Sequence, residues 1–227
     1  MTVMQKELVP FRLKDPISSL SHFIGFALTI PATSILLVKA AGLSCSTASM
    51  ISLSVFMISM SLLYAASACY HAFHINPAVD GILKRIDHCS IFLLIAGSYT
   101  PVCVIALQNS GPILLKVIWA IAAAGICFKL FWVYCPKFVS SIIYIGMGWA
   151  CVSVLPSLIT SLGSGFWYLL AGGLFYTVGG VLYSLKLNLF PNEKRTGFGN
   201  HELFHLFVMA GSFCHYLMAL NTLTLLG

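Results

Sequence analysis

A chain of 227 residues that is 59% hydrophobic and only 8% charged excludes a water-soluble domain, in which roughly 25% of residues carry charge. The mean hydropathy of +0.95 belongs to a protein built almost entirely of membrane spans and short loops. The net charge of +6 gathers on one side of the predicted topology and is no sign of nucleic-acid binding.

Residues 1–16 are read as a polar cytosolic N-terminal segment, carrying Lys6, Glu7, Arg12, Lys14 and Asp15. Residues 17–227 are read as a single membrane domain. The first apolar run, 17–41, is too long for a signal-peptide core and lacks a cleavage pattern, so it is expected to remain as the first span. Six more follow at 46–73, 87–108, 112–135, 138–160, 164–187 and 202–226. Each has roughly 20 residues or more, enough at about 1.5 Å per residue to cross about 30 Å of hydrocarbon. Helices are expected, because in lipid a spanning segment must satisfy its own backbone hydrogen bonds. The separators carry chain breakers, such as Asn76-Pro77, Gly111-Pro112 and Cys135-Pro136. Pro31, Pro101 and Pro156 fall inside spans and should kink them. Gly172, Gly173, Gly179 and Gly180 suggest close helix contact around the sixth span. Eight cysteines are scattered without a CxxC pair, which argues for packing residues rather than a disulfide framework.

With the N-terminus in the cytosol, ten of the twelve Lys and Arg residues fall on the inner side. Only Lys39 and Lys116 fall outside. All six carboxylates, Glu7, Asp15, Asp80, Asp87, Glu193 and Glu202, also fall at the inner side. Chemistry that needs a carboxylate must therefore sit near the inner face.

Three sites carry candidate chemistry there. Ser67-x-x-x-His71 ends the second span, Asp87 is expected at the start of the third, and His201-x-x-x-His205 opens the seventh. Residues four apart share a helix face, so His201 and His205 can hold one ion together. Four spans separate His71 from His201. Four is even, so both lie on the same side of the membrane. Three imidazoles and one open position are the pattern of a catalytic zinc site. Asp87 can hold and shuttle the proton of an activated water, and Ser67 can orient His71, the water or a substrate. His22, His74 and His88 are weaker ligand candidates, and His215 is expected to line a cavity above the metal or to serve in packing, not to ligate.

The run Ser67-Ala-Cys-Tyr-His71, then Lys84-Arg85-Ile86-Asp87, then His201-Glu202-Leu203-Phe204-His205 with His215 following, resembles the hemolysin III branch of the progestin and adipoQ receptor (PAQR) family. The resemblance covers essentially the whole chain. It implies a seven-helix fold with a cytosolic N-terminus, with Zn²⁺ on His71, His201 and His205 and Asp87 and Ser67 alongside. It also implies a multi-pass protein of a bacterial inner membrane, with ceramidase-like amide hydrolysis or a part in membrane-lipid homeostasis. His88 stands where the receptors carry an aromatic residue. The chain has almost no sequence outside its spans, so a hormone-receptor role is not expected. Three functions follow: a zinc-dependent hydrolase of a lipid amide or ester, a non-enzymatic membrane protein with structural zinc, and a transporter or channel. Membrane lipids are the expected partners in the first two.

Overall fold

The computed structural model describes residues 13–185 and 189–226, with the backbone alone at 193 and 194. Lys6, Glu7, Arg12 and Lys186, and most of the expected N-terminal segment, lie outside the described residues, as do the side chains of Glu193 and Lys194. Among the described residues every regular element is helical. Seven helical segments are long and apolar enough to cross a membrane: Pro16–Gly42, Thr47–Ala72, Pro77–Ala106, Gly111–Phe131, Lys137–Leu162, Gly165–Leu185 and Asn200–Leu225. They are called the first to seventh spans below. Large apolar side chains such as Val38, Ile113 and Phe131 point outwards, as they do in a protein solvated by lipid.

The span starts follow from local chemistry. Pro16, Pro77 and Pro112 occupy first-turn positions, where a missing N–H costs nothing and the fixed φ suits a helix. Asn76 accepts a hydrogen bond from Val79 N at 3.0 Å, and Ser46 accepts one from Ser49 N at 3.1 Å, each satisfying a donor the helix leaves open. Glu202 reaches back to Gly199 N at 2.9 Å and so fixes the start of the seventh span.

The third span begins ten residues earlier than hydropathy suggests, because the polar stretch 77–86 is already helical. Asp80 therefore occupies its first turn. Asp87, expected at the helix start, lies nearly three turns inside it. Its place is set by packing and not by the helix dipole, which acts only over the first turn.

The internal prolines act in different ways. Pro31 is carried within an unbroken helix. Pro101 is followed by a π-helical stretch, Val102–Ala106, and Pro156 by a short helix entered through the 3₁₀ stretch Trp149–Val154. That break frees backbone groups inside the bundle, and Tyr99 gathers them. Its hydroxyl donates towards Gly148 O at 2.6 Å and Met147 O at 3.1 Å, and accepts from Cys151 N at 3.0 Å. Of the four glycines expected to mark close contact, Gly172, Gly179 and Gly180 do. A Cβ on Gly172 would stand 2.6 Å from the His215 ring, whereas Gly173 faces open space.

Two apolar clusters hold the bundle. One joins the first, second and seventh spans through Leu36, Phe56, Met57 and Ala219. The other joins the third, fourth and fifth through Phe92, Ile118, Ala122 and Leu158. All eight cysteines are free thiols.

Candidate metal centre

The second span ends one residue beyond His71, and the seventh opens with Asn200 and His201. The same end of the bundle therefore receives His71, His201 and His205, as the even count of intervening spans requires. One ring nitrogen from each lies within 4.8 Å of the others. His71 Nε2 and His201 Nε2 are 3.0 Å apart. His71 and His205 are almost fully buried.

The far sides of two rings are already engaged. His71 Nδ1 lies 2.9 Å from Asp15 Oδ2, and His205 Nδ1 lies 3.1 Å from Ser21 Oγ. A carboxylate accepts, so His71 carries its proton on Nδ1 and turns a lone pair at Nε2 towards the other rings. At 3.0 Å from His201 Nε2, two nitrogen lone pairs repel unless a proton or a cation lies between them. The donor set fits a metal ion that accepts imidazole.

Asp15 is delivered by backbone. Asp15 N donates to His71 O at 2.9 Å and Lys14 N to Ala72 O at 3.2 Å, so the chain entering the first span is tied to the end of the second. Ser18, one turn further on, donates to the Glu202 carboxylate, joining the first span to the seventh beside the histidines. His22 stacks flat on His205, with ring centroids 3.7 Å apart and 6° between planes.

Asp87 and Ser67 line the same cavity as the three histidines, and the Ser67 hydroxyl is within reach of the Asp87 carboxylate. Asp87 does not join the three-histidine cluster itself. The cavity encloses about 490 Å³, within the range of small-molecule sites. From the histidines it reaches Leu114 and Phe166, near the starts of the fourth and sixth spans at the opposite end. Most of its wall is apolar. His215 lines its deeper part, its Nδ1 without a partner and its ring stacked 5.3 Å from Tyr176. His88 also lines it. His74 stands apart in the loop, 2.5 Å from Asp80.

Asp15, Ser18 and Ser21 were not singled out in the sequence. No spacing links them to histidines on other spans. The one local hint is that Asp15 immediately precedes the proline that opens the first span.

The model of the family described as haemolysin-III related matches residues 12–216. The chain belongs to that family. It is 36% identical to Hemolysin-3 of Bacillus cereus over 214 residues, covering 93% of each protein. It is 37% identical to the Hemolysin-3 homolog of Bacillus subtilis over 205 residues, 89% of this chain and 91% of that one. A more distant likeness, 24% identity over 181 residues, links it to the adiponectin receptor protein of Drosophila melanogaster, covering 71% of this chain and 40% of the receptor. This haemolysin-III-related chain is thus a multi-pass integral membrane protein with a buried histidine cluster able to hold a metal.

Proposed function

We propose that the protein is a zinc-dependent hydrolase of a lipid amide or ester, set in a bacterial inner membrane with its histidine end in the cytosol. The observation that carries this reading is that one largely apolar cavity holds the histidine cluster, Asp87 and Ser67 together. A structural metal site needs neither a carboxylate without a place in the cluster nor a chamber beside it. The orientation rests on the excess of Lys and Arg at the histidine end.

His71, His201 and His205 would hold the ion, with Asp87 on the wall of the same cavity. Zinc there would supply Lewis acidity and make a neighbouring water a better nucleophile. The protein's part is to place the groups. Asp87 accepts a proton as the water oxygen bonds to the acyl carbon, then returns it to the leaving nitrogen or oxygen as that bond breaks. The products are a fatty acid and an amine or alcohol. Ser67 orients the Asp87 carboxylate, and Asp15 and Ser21 hold the imidazoles from behind. The apolar walls take the acyl chain and keep bulk water away.

The haemolysin names of the Bacillus relatives favour a second reading, a non-enzymatic membrane protein that uses the metal for structure. One experiment separates the two: metal content and turnover of short-chain ceramides and acyl esters, in the native sequence, His205→Ala and Asp87→Ala. The hydrolase predicts one zinc per chain, lost in His205→Ala and kept in Asp87→Ala, with turnover lost in both. Zinc without turnover of any lipid favours the second reading, and absence of zinc defeats both.

A further inference from the structure

Beyond the metal centre the cavity wall is largely apolar, and the polar side chains along it are mostly matched. Trp149 Nε1 donates to Thr177 Oγ1 at 2.8 Å, and Thr177 Oγ1 donates to Gly173 O at 2.7 Å. Ser98 Oγ donates to Ile95 O at 2.8 Å, and the Tyr99 hydroxyl is taken up by the break in the fifth span. Tyr176 and Ser212 share a hydrogen bond of 2.9 Å. His215 is the exception. It lines the cavity, is only 6% exposed, and its Nδ1 is closed off from solvent without a hydrogen-bond partner.

Two glycines seat this ring. A Cβ on Gly172 of the sixth span would stand 2.6 Å from His215 Cδ2 and 2.8 Å from its Nε2, and a Cβ on Gly211 of the seventh would stand 2.7 Å from the Tyr176 ring. Each span gives up a side chain to admit the ring of the other, and the two rings stack with centroids 5.3 Å apart and 17° between planes. Packing alone does not account for an imidazole here, because a carbon ring stacks on Tyr176 equally well and leaves no nitrogen unmatched. Burying an unmatched nitrogen costs free energy, and ionisable side chains at membrane depth ordinarily mark function.

We propose that His215 is the recognition group of a second subsite, which takes a hydroxyl carried part-way along the acyl chain of the lipid. The subsite deepens the proposed function and rests on its cavity being the acyl-chain site; it narrows the substrate class to lipids with hydroxylated acyl chains. His215 follows His205 by ten residues on the same helix, about 15 Å along its axis. A chain whose carbonyl lies at the metal centre therefore passes the imidazole well below its head. A neutral imidazole has one N–H and one lone pair, and a hydroxyl can pair with either.

Oleic and ricinoleic acids differ only in a mid-chain hydroxyl, and their binding needs no turnover. Their affinities are measured by displacement of a fluorescent fatty acid from the protein in nanodiscs, for the native sequence, His215→Phe and His215→Asn. Phe keeps a flat ring in the notch and lacks the nitrogens; Asn keeps a short polar side chain. Partition of each acid into the lipid is common to all three proteins and cancels between them. The ratio of ricinoleic to oleic affinity should fall about tenfold in His215→Phe, the worth of one buried hydrogen bond, and recover in part in His215→Asn. Thermal unfolding checks the fold, and His215→Leu takes the place of a His215→Phe that does not fold. A ratio equal in the native protein and a folded apolar variant overturns the subsite. So does a change that comes only from tighter binding of oleic acid, which marks relief of an unmatched nitrogen and no contact with the hydroxyl. If neither acid binds, the subsite and the acyl-chain path of the proposed function fall together. His215-dependent discrimination without turnover of the corresponding amides or esters would keep the subsite and remove the hydrolase; turnover of oleoyl and ricinoleoyl substrates without that discrimination would do the reverse.

Discussion

Asp15 Oδ2 lies 2.9 Å from His71 Nδ1, and the two residues are joined a second time through backbone, Asp15 N donating to His71 O. The first contact fixes which nitrogen of His71 carries the proton. The second fixes where the carboxylate stands. A residue preceding the first span thereby sets the orientation of a donor at the end of the second.

Asp15→Asn should therefore weaken the metal site without removing a ligand. Loss of such an outer carboxylate typically costs about 10–100-fold in metal affinity. Competition with a graded series of chelators measures it, and an affinity equal to that of the native protein would show that the contact does not tune the site.

Removing a ligand should do more. His71→Ala, leaving two donors, should lose stoichiometric metal, and metal content by mass spectrometry checks this. Asp87→Asn should keep the metal and lose at least about 100-fold in turnover, the scale of a general acid–base group. Equal turnover in Asp87→Asn would remove that residue from the mechanism.

Metal retention should also fall with acidity. Imidazole binds a metal only in its neutral form, so proton and ion compete for the same nitrogen and affinity drops as pH falls. Metal content after equilibration at a series of pH values should decline towards the acid end. A flat profile would point to donors other than the three histidines.

Tyr99→Phe should destabilise the bundle while leaving the metal in place. The hydroxyl satisfies two carbonyls and one N–H at the break in the fifth span. Leaving buried polar groups unpaired costs about 1–3 kcal/mol. Thermal unfolding in detergent, read beside metal content, checks both halves of the expectation.

Gly111→Ala should be poorly tolerated for a steric reason. A Cβ there would stand 2.1 Å from the backbone carbonyl oxygen of Cys103, in the π-helical stretch after Pro101. Backbone yields less readily than a side chain, so overpacking of at least about 1–3 kcal/mol is expected. A melting temperature equal to the native one would show that the loop adapts.

Much of this protein was legible in one dimension. A bilayer demands long apolar helices, so hydropathy alone reveals seven spans. Their parity brings His71, His201 and His205 to one end, because each span reverses direction. The fourfold spacings in Ser67…His71 and His201…His205 translate directly into shared helix faces. The span limits failed where the rule behind them stops: residues 77–86 are polar yet helical, since only the membrane core requires apolar residues while a helix can extend beyond it.

The tertiary structure decided everything that depends on approach between segments distant in sequence. Asp15 meets His71, Ser21 meets His205, and Ser18 meets Glu202 across the first, second and seventh spans. Lys129 is buried against Ser140 and Cys135 and does not reach the rim. No periodicity records these pairings. A repeat reports which way a side chain leaves its own helix, whereas the partner it meets depends on how helices rotate and pack against one another. Hydrophobic patterning dictates the spans and, through their parity, which residues share an end of the bundle. The outer contacts of the metal centre and the burial of Lys129 arise only when the bundle closes.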